Sequence, residues 1–198
     1  MTRKAWIIGA STGIGAAVAD ELQNKGWQVV RSSRSQGEIR IDISDDLSVK
    51  QAASQYESTY GTYDLVLVMA GFWQRMSAQN FDLEVFKEHN NTNTVGMARC
   101  AAAILPKMIG ADNGTFMGVS SEAGFRGMPG SSGYGPSKAA QINPSYAEPR
   151  AQGLYLLAHL CDWQSLEAFS KDICTLGTTG ESCFPFTLLS FEDSPEQN

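Results

Sequence analysis

The sequence has few of the residues that build disulfide frameworks or metal sites. It contains four cysteines (Cys100, Cys161, Cys174 and Cys183) and two histidines in 198 residues, with no paired short spacing among the cysteines. This pattern is typical of the reduced thiols of a cytoplasmic protein. Because the pattern lacks further spaced ligands, we expect no metal site.

Clustered positive charge and long apolar runs are also missing. Lys and Arg number 15 against 21 Asp and Glu, for a formal net charge of -6. Nucleic acids and anionic membrane surfaces bind clustered cations, so neither is an expected partner. The start MTRKAWIIGAS lacks the apolar core of a signal peptide, and no run is long enough to span a bilayer. We expect a small-molecule partner and one domain over residues 1–198.

What the sequence does contain is a regular alternation of apolar runs with segments of helical periodicity. The predicted strands are 5–8, 27–30, 37–42, 64–71 and 114–121, and the predicted helices are 10–26, 46–61 and 80–109. No helix fits between the second and third strands. Near-continuous apolar strands separated by helices predict a parallel sheet covered on both faces. The expected fold class is α/β, a doubly wound, Rossmann-like, three-layer α/β/α sheet.

A glycine-rich turn, GASTGIG, follows the first predicted strand. It places Gly9, Gly13 and Gly15 directly before the first helix. Glycines at this point let a pyrophosphate approach the positively polarised helix N-terminus. The turn therefore predicts a dinucleotide site, although packing of the helix against the strand could by itself require glycines there.

The end of the second strand indicates which dinucleotide is bound. RSSRS (31–35) supplies Arg31 and Arg34 and no carboxylate. A carboxylate here would accept from the ribose of NAD, whereas Arg accommodates the extra phosphate of NADP. We predict NADP rather than NAD, with Arg34 as the contact; solvated surface cations are the alternative. Asp42 either accepts from the adenine amino group or caps the helix that begins near Leu47.

A tyrosine and a lysine four residues apart occur in SSGYGPSKAA (131–140). On a helix, Tyr134 and Lys138 would share a face. A phenol has a pKa of about 10 and is a poor base at neutral pH. A nearby ammonium favours the phenolate and is expected to lower that pKa toward the range useful for proton exchange. The pair is a weak signal when taken alone, since short motifs also occur by chance.

Together these motifs resemble the short-chain dehydrogenase/reductase family over about residues 4–142. NTVG (93–96) is similar to the family's Asn-x-x-Gly element, and VSSEAG (119–124) is similar to the end of its fifth strand. Ser121 lies 13 residues before Tyr134, which is the family's spacing for its catalytic pair.

The element after the fourth strand matches the family only in part. The family has Asn-Asn-Ala-Gly, and this chain keeps Ala70 and Gly71 but has Val68 and Met69 in place of both asparagines.

The resemblance implies roles for individual residues. Tyr134 would exchange a proton with a carbonyl or alcohol oxygen, to which Ser121 would donate a hydrogen bond. Lys138 would hold the nicotinamide ribose, and Asn93 would support a proton-relaying water. The implied cofactor contacts are Gly9, Ser11, Thr12, Gly13, Ile14, Gly15, Arg34, Asp42, Ile43, Ala70, Gly71, Tyr134 and Lys138.

The function implied by the resemblance is hydride transfer between NADP(H) and a carbonyl or secondary alcohol. One alternative is an NADP-binding protein with little or no turnover. A second alternative is an epimerase or dehydratase that uses the same Tyr and Lys. Trp73 and Phe125 suggest an apolar border of the substrate pocket, although core packing would explain them equally well. A homo-oligomer is possible, through the small residues of the helix around 101–103.

The resemblance stops after about residue 142. Pro144 and Pro149 stand where the helix with Tyr134 and Lys138 should continue, and interior proline breaks a helix. We expect that helix to end or kink near Ile142, and GLYLLAHL (153–160) to supply a sixth strand. Residues 143–198 otherwise depart from the family, and a change of reading frame in the gene would explain them. Translation of the other frames tests this hypothesis.

Overall fold

The computed structural model describes residues 2–142 and the backbone of 156–160. Its strands are β1 (Lys4–Ile8), β2 (Gln28–Ser33), β3 (Ile39–Arg40), β4 (Leu65–Val68), β5 (Thr115–Ser120) and β6 (Leu156–Leu160). They form one parallel sheet in the order β3-β2-β1-β4-β5-β6. The predicted sixth strand is thus confirmed beside β5, whereas the prolines at 144 and 149 lie outside the described residues.

Helices separate the strands as the apolar pattern predicts. They are α1 (Gly13–Asn24), α2 (Asp46–Tyr60), α3 (Leu83–His89), α4 (Gly96–Ala111) and α5 (Tyr134–Ile142), with 3-10 turns at Ala78–Asn80 and Glu122–Gly124. The helical pattern over 80–109 is confirmed by α3 and α4, which are joined by a π-helical segment, Asn90–Val95. No helix lies between β2 and β3, as expected.

Successive residues of β1 supply two separate cores. Ala5 and Ile7 pack on one face of the sheet with α1, whereas Trp6 and Ile8 pack on the other face with α2 and α4. All four side chains are fully buried. A strand buried on both faces accounts for the uninterrupted apolar runs in the sequence, and it confirms the three-layer α/β/α arrangement.

The strand order places a crevice at one edge of the sheet. From β1 the chain proceeds outward to β2 and β3, and then returns to β4 on the other side of β1. In open parallel sheets, ligands bind beyond the carboxyl ends of the strands at this change of direction. None of the helices in the described residues combines the length and the apolar composition of a membrane-spanning segment.

Candidate functional site

The glycine turn lies at the carboxyl end of β1 and is held by both neighbouring strands. The backbone N–H groups of Gly9 and Ala10 donate to the carbonyl oxygen of Ser32, at 2.7 and 3.1 Å. Those of Met69 and Ala70 donate to the carbonyl oxygen of Ile8, at 2.7 and 2.9 Å. The turn after β1 and the segment after β4 are therefore in direct contact at the crevice.

The three glycines of the turn serve different purposes. A Cβ at Gly9 would lie 2.4 Å from the backbone nitrogen of Ala70, and one at Gly15 would lie 2.2 Å from the carbonyl oxygen of Gly9. A Cβ at Gly13 would meet nothing within 4 Å. Packing therefore explains Gly9 and Gly15, whereas Gly13 faces open space at the N-terminus of α1. The packing alternative accounts for two of the three glycines.

The N-terminus of α1 carries no side-chain cap. Its N-cap residue, Thr12, is extended and its hydroxyl makes no capping hydrogen bond. The first N–H groups of a helix lack intrahelical partners and carry partial positive charge. This helix end therefore offers unsatisfied donors next to the open space at Gly13.

The structure separates the two arginines of β2. Arg31 lies within the strand and its Nη2 donates to Asp20 Oδ1 at 2.6 Å and to Gln23 Oε1 at 3.1 Å, so it is tied to α1. Arg34 follows the last residue of β2 and is exposed at the carboxyl edge. Of the two guanidinium groups, that of Arg34 is the more exposed.

Asp42 does not cap the helix after it. The N-cap of α2 is Asp45, whose carboxylate accepts from the backbone N–H of Ser48 at 2.6 Å. Asp42 instead accepts from the backbone N–H and the hydroxyl of Ser44, at 2.9 and 2.6 Å. The hydroxyl bond is the main reason that the pKa of Asp42 is lowered, and Arg34 adds a smaller attraction. Ile43, beside it, is buried in the core.

Tyr134 and Lys138 lie on the same helix and close together. Tyr134 begins α5, and the Lys138 Nζ lies 5.5 Å from the centroid of its ring. That ammonium also donates to the carbonyl oxygen of Val119, at the end of β5, at 2.8 Å. Ser121 follows β5, and its hydroxyl is near enough to the Tyr134 phenol to lower the pKa of that phenol by hydrogen bonding. The carboxyl end of β5 and the start of α5 thus bring the three side chains together.

The expected direction of the tyrosine pKa is wrong for this structure. Burial raises the pKa of Tyr134, and the hydrogen bond with Ser121 lowers it only in part. Desolvation of the phenolate therefore outweighs the attraction that the four-residue spacing suggested.

Asn93 is fully buried in the π-helical segment, and both polar atoms of its side chain are hydrogen-bonded within the protein. Its Oδ1 accepts from the backbone N–H of Phe72 at 2.7 Å, and its Nδ2 donates to the Phe72 carbonyl and to Ser137 Oγ, each at 2.9 Å. The Asn93 carbonyl oxygen accepts from Gln141 Nε2 at 2.7 Å. Asn93 thus joins the segment after β4 to α5 through protein contacts.

Three buried polar residues around Asn93 and Tyr134 were not predicted. Ser137 donates to the Tyr134 carbonyl oxygen at 2.7 Å, Gln141 reaches Asn93, and the ring of His89 lies against that of Tyr134. Helical spacing could have indicated Ser137 and Gln141, since they stand three and seven residues after Tyr134. His89 offered no such signal, because its contacts depend on the packing of separate elements.

Two aromatic side chains predicted at the pocket border are not core residues. Trp73 and Phe125 are each 60% exposed, so core packing does not explain them.

Among the described residues, no group of three or more metal-ligating side chains occurs. The Cys100 thiol is free and buried, and burial raises its pKa to about 12.

The fold is that of the doubly wound, Rossmann-like proteins, and a tyrosine and a lysine lie together at the carboxyl edge of its sheet. The family model described as short chain dehydrogenase matches residues 3–144. The chain therefore belongs to the short-chain dehydrogenase family of oxidoreductases. The match ends close to residue 142, where the motifs also stop.

Individual relatives agree with this assignment. The chain is 30% identical over 156 residues to the mouse dehydrogenase/reductase SDR family member 7, covering 68% of this chain and 46% of the relative. It is 27% identical to a Staphylococcus aureus 3-oxoacyl-[acyl-carrier-protein] reductase, over 72% of this chain and 65% of that one. The chain spans less than two thirds of the length of the curated relatives it matches.

A solved structure of ElxO with NADP bound is similar in fold. Its TM-score is 0.66 at 26% sequence identity, and the match covers 72% of this chain and 64% of that one.

Proposed function

We propose that this chain binds NADP(H) and catalyses hydride transfer to a carbonyl, or from the corresponding secondary alcohol, with Tyr134 as the acid or base. The observation that carries the proposal is the cluster of Tyr134, Lys138 and Ser121 at the same edge of the sheet as the glycine turn. A proton donor beside a nicotinamide site is what carbonyl reduction requires.

The described residues fit the cofactor. The open space at Gly13 and the uncapped N-terminus of α1 suit a pyrophosphate, which is an anion that approaches backbone closely. Arg34 suits the additional phosphate of NADP, whereas Arg31 is held by Asp20 and Gln23. The NADP-bound ElxO relative supports the same preference. When bound, the cofactor supplies or accepts the hydride.

The raised pKa of Tyr134 favours the acid role. Below that pKa the phenol keeps its proton and can donate it to a substrate oxygen, to which Ser121 also donates. Carbonyl reduction should therefore hold across neutral pH and fall as the pH rises through the phenol pKa. Alcohol oxidation needs the phenolate, so its rate should rise over the same interval.

The test compares Tyr134→Phe with the native protein. We expect NADPH affinity, followed by nucleotide fluorescence, to change less than about threefold, and NADPH consumption over a panel of aldehydes and ketones to fall by a factor of about 1,000 or more. Tyr60→Phe is the matched control, because Tyr60 ends α2 at the amino edge of the sheet, where its carbonyl oxygen accepts from Lys4 Nζ at 2.6 Å, whereas Tyr134 lies at the carboxyl edge. Turnover that survives in Tyr134→Phe would exclude this residue as the acid.

A second candidate, an NADP-binding protein with little or no turnover, is favoured by the end of the family match at residue 144. NADPH binding by the native chain without consumption of any substrate in the panel would select this candidate. An epimerase or dehydratase would convert its substrate without net NADPH consumption.

A further inference from the structure

His89 is a buried titratable side chain that the proposed chemistry does not use. It is the last residue of α3 and is 0% exposed. Its Nδ1 lies 2.8 Å from the carbonyl oxygen of Val85, and its Nε2 accepts from the backbone N–H of Gln74 at 3.1 Å. A carbonyl only accepts and a backbone N–H only donates, so Nδ1 is the donor to Val85 and Nε2 is the acceptor from Gln74. Its orientation is therefore set by main-chain groups on two sides.

The imidazole ring lies against the side chain of Tyr134. The two ring centroids are 6.2 Å apart and the planes meet at 65°, an edge-to-face contact. The ring also packs on Phe72, with centroids 4.9 Å apart. Aromatic pairs in this arrangement contribute stabilisation beyond the area they bury.

The backbone before Tyr134 is fitted to the same ring. A Cβ at Gly133 would lie 2.8 Å from His89 Nδ1 and 2.8 Å from Met76 Cε. The start of α5 therefore approaches the imidazole so closely that a side chain at residue 133 would collide with it. The ring thereby connects the segment after β4 with the helix that carries the phenol.

We propose that His89 is a positioning residue for Tyr134, which holds the phenol ring in place by the edge-to-face contact. His89 reaches neither substrate nor cofactor in this role, since both of its nitrogens are engaged by main-chain groups. The inference rests on the proposed function only for its effect on turnover. The hold on the Tyr134 ring is a property of the fold and can be measured separately.

Two substitutions at His89 distinguish the effect of its ring from the effect of its nitrogens. His89→Asn keeps a short amide that can donate to the Val85 carbonyl, but it removes the ring that contacts Tyr134. His89→Phe keeps an aromatic ring of similar extent and removes both nitrogens. If the ring contact positions the phenol, His89→Asn should lower kcat by about tenfold or more while its NADPH affinity stays within about twofold of native. His89→Phe, which keeps a ring, should have a kcat within about threefold of native.

A spectroscopic measurement tests the contact without turnover. The protein is labelled with ¹³C on the tyrosine rings, and the Tyr134 resonance is assigned by its absence in Tyr134→Phe. We expect this resonance to shift or broaden in His89→Asn and to stay near its native position in His89→Phe. If the native chain shows no turnover, the proposed function fails while this measurement still decides the inference.

Two results would overturn the inference. One is a native Tyr134 resonance and native kcat in a folded His89→Asn variant. The other is a displaced resonance or a tenfold loss of kcat in His89→Phe, which decides the matter even if His89→Asn does not fold.

Discussion

Alanine at Gly9 should chiefly lower stability, whereas alanine at Gly13 should chiefly weaken NADPH binding. Gly9 has a φ of +98° and its Cβ would lie 2.4 Å from the nitrogen and 2.7 Å from the Cα of Ala70. These obstructing atoms are backbone at the end of the central strand β4 and cannot rotate away. A left-handed conformation costs about 1–2 kcal/mol for a residue with a side chain, and overpacking costs about 1–3 kcal/mol more.

Gly9→Ala should therefore lower the free energy of unfolding by about 2–5 kcal/mol. Gly13 has a φ of +60° and open space around its Cβ, so Gly13→Ala bears only the conformational cost of about 1–2 kcal/mol. Its methyl group would instead occupy the space proposed for the pyrophosphate, and NADPH affinity should fall by about tenfold or more.

The assay is urea denaturation followed by tryptophan fluorescence, together with NADPH titration of each variant. Equal losses of unfolding free energy in the two variants would refute the packing argument for Gly9. Native NADPH affinity in Gly13→Ala would refute the placement of the pyrophosphate at this turn.

Two further predictions concern matched pairs of side chains. Arg34→Ala should weaken NADPH binding by about tenfold while leaving NADH binding unchanged. Arg31→Ala should leave the ratio of the NADPH and NADH affinities unchanged. Both are measured by nucleotide titration, and parallel losses in the two variants would contradict the assignment of Arg34 to the extra phosphate of NADP. Tyr56→Phe should be neutral or stabilising by up to about 1–3 kcal/mol, because the Tyr56 hydroxyl is buried with no hydrogen-bond partner among the described residues. Tyr63→Phe should lower the free energy of unfolding by about 1 kcal/mol, because the Tyr63 hydroxyl donates to Glu57 at 3.1 Å. Denaturation curves in which Tyr56→Phe is less stable than Tyr63→Phe would contradict this account.

The local sequence pattern was sufficient to predict the fold and to predict that Tyr134 and Lys138 share a helix. Apolar runs predicted the strands because a strand buried on both faces, such as β1 with Ala5 and Trp6, has no polar side to show. The four-residue spacing predicted that Tyr134 and Lys138 lie on one helix, since that spacing is nearly one helical turn. Both inferences use contacts between residues close in the chain.

What the sequence by itself determined, then, was the order of strands and helices, the glycine turn and the Tyr134–Lys138 pair, because these follow from local periodicity. Only the tertiary structure decided that burial raises the pKa of Tyr134, that Asp20 and Gln23 hold Arg31, and that His89 lies against the phenol ring. The physical reason is the same in each case. Desolvation, competition for ion-pair partners and ring contacts depend on which separate elements pack together, and no spacing along the chain records that packing.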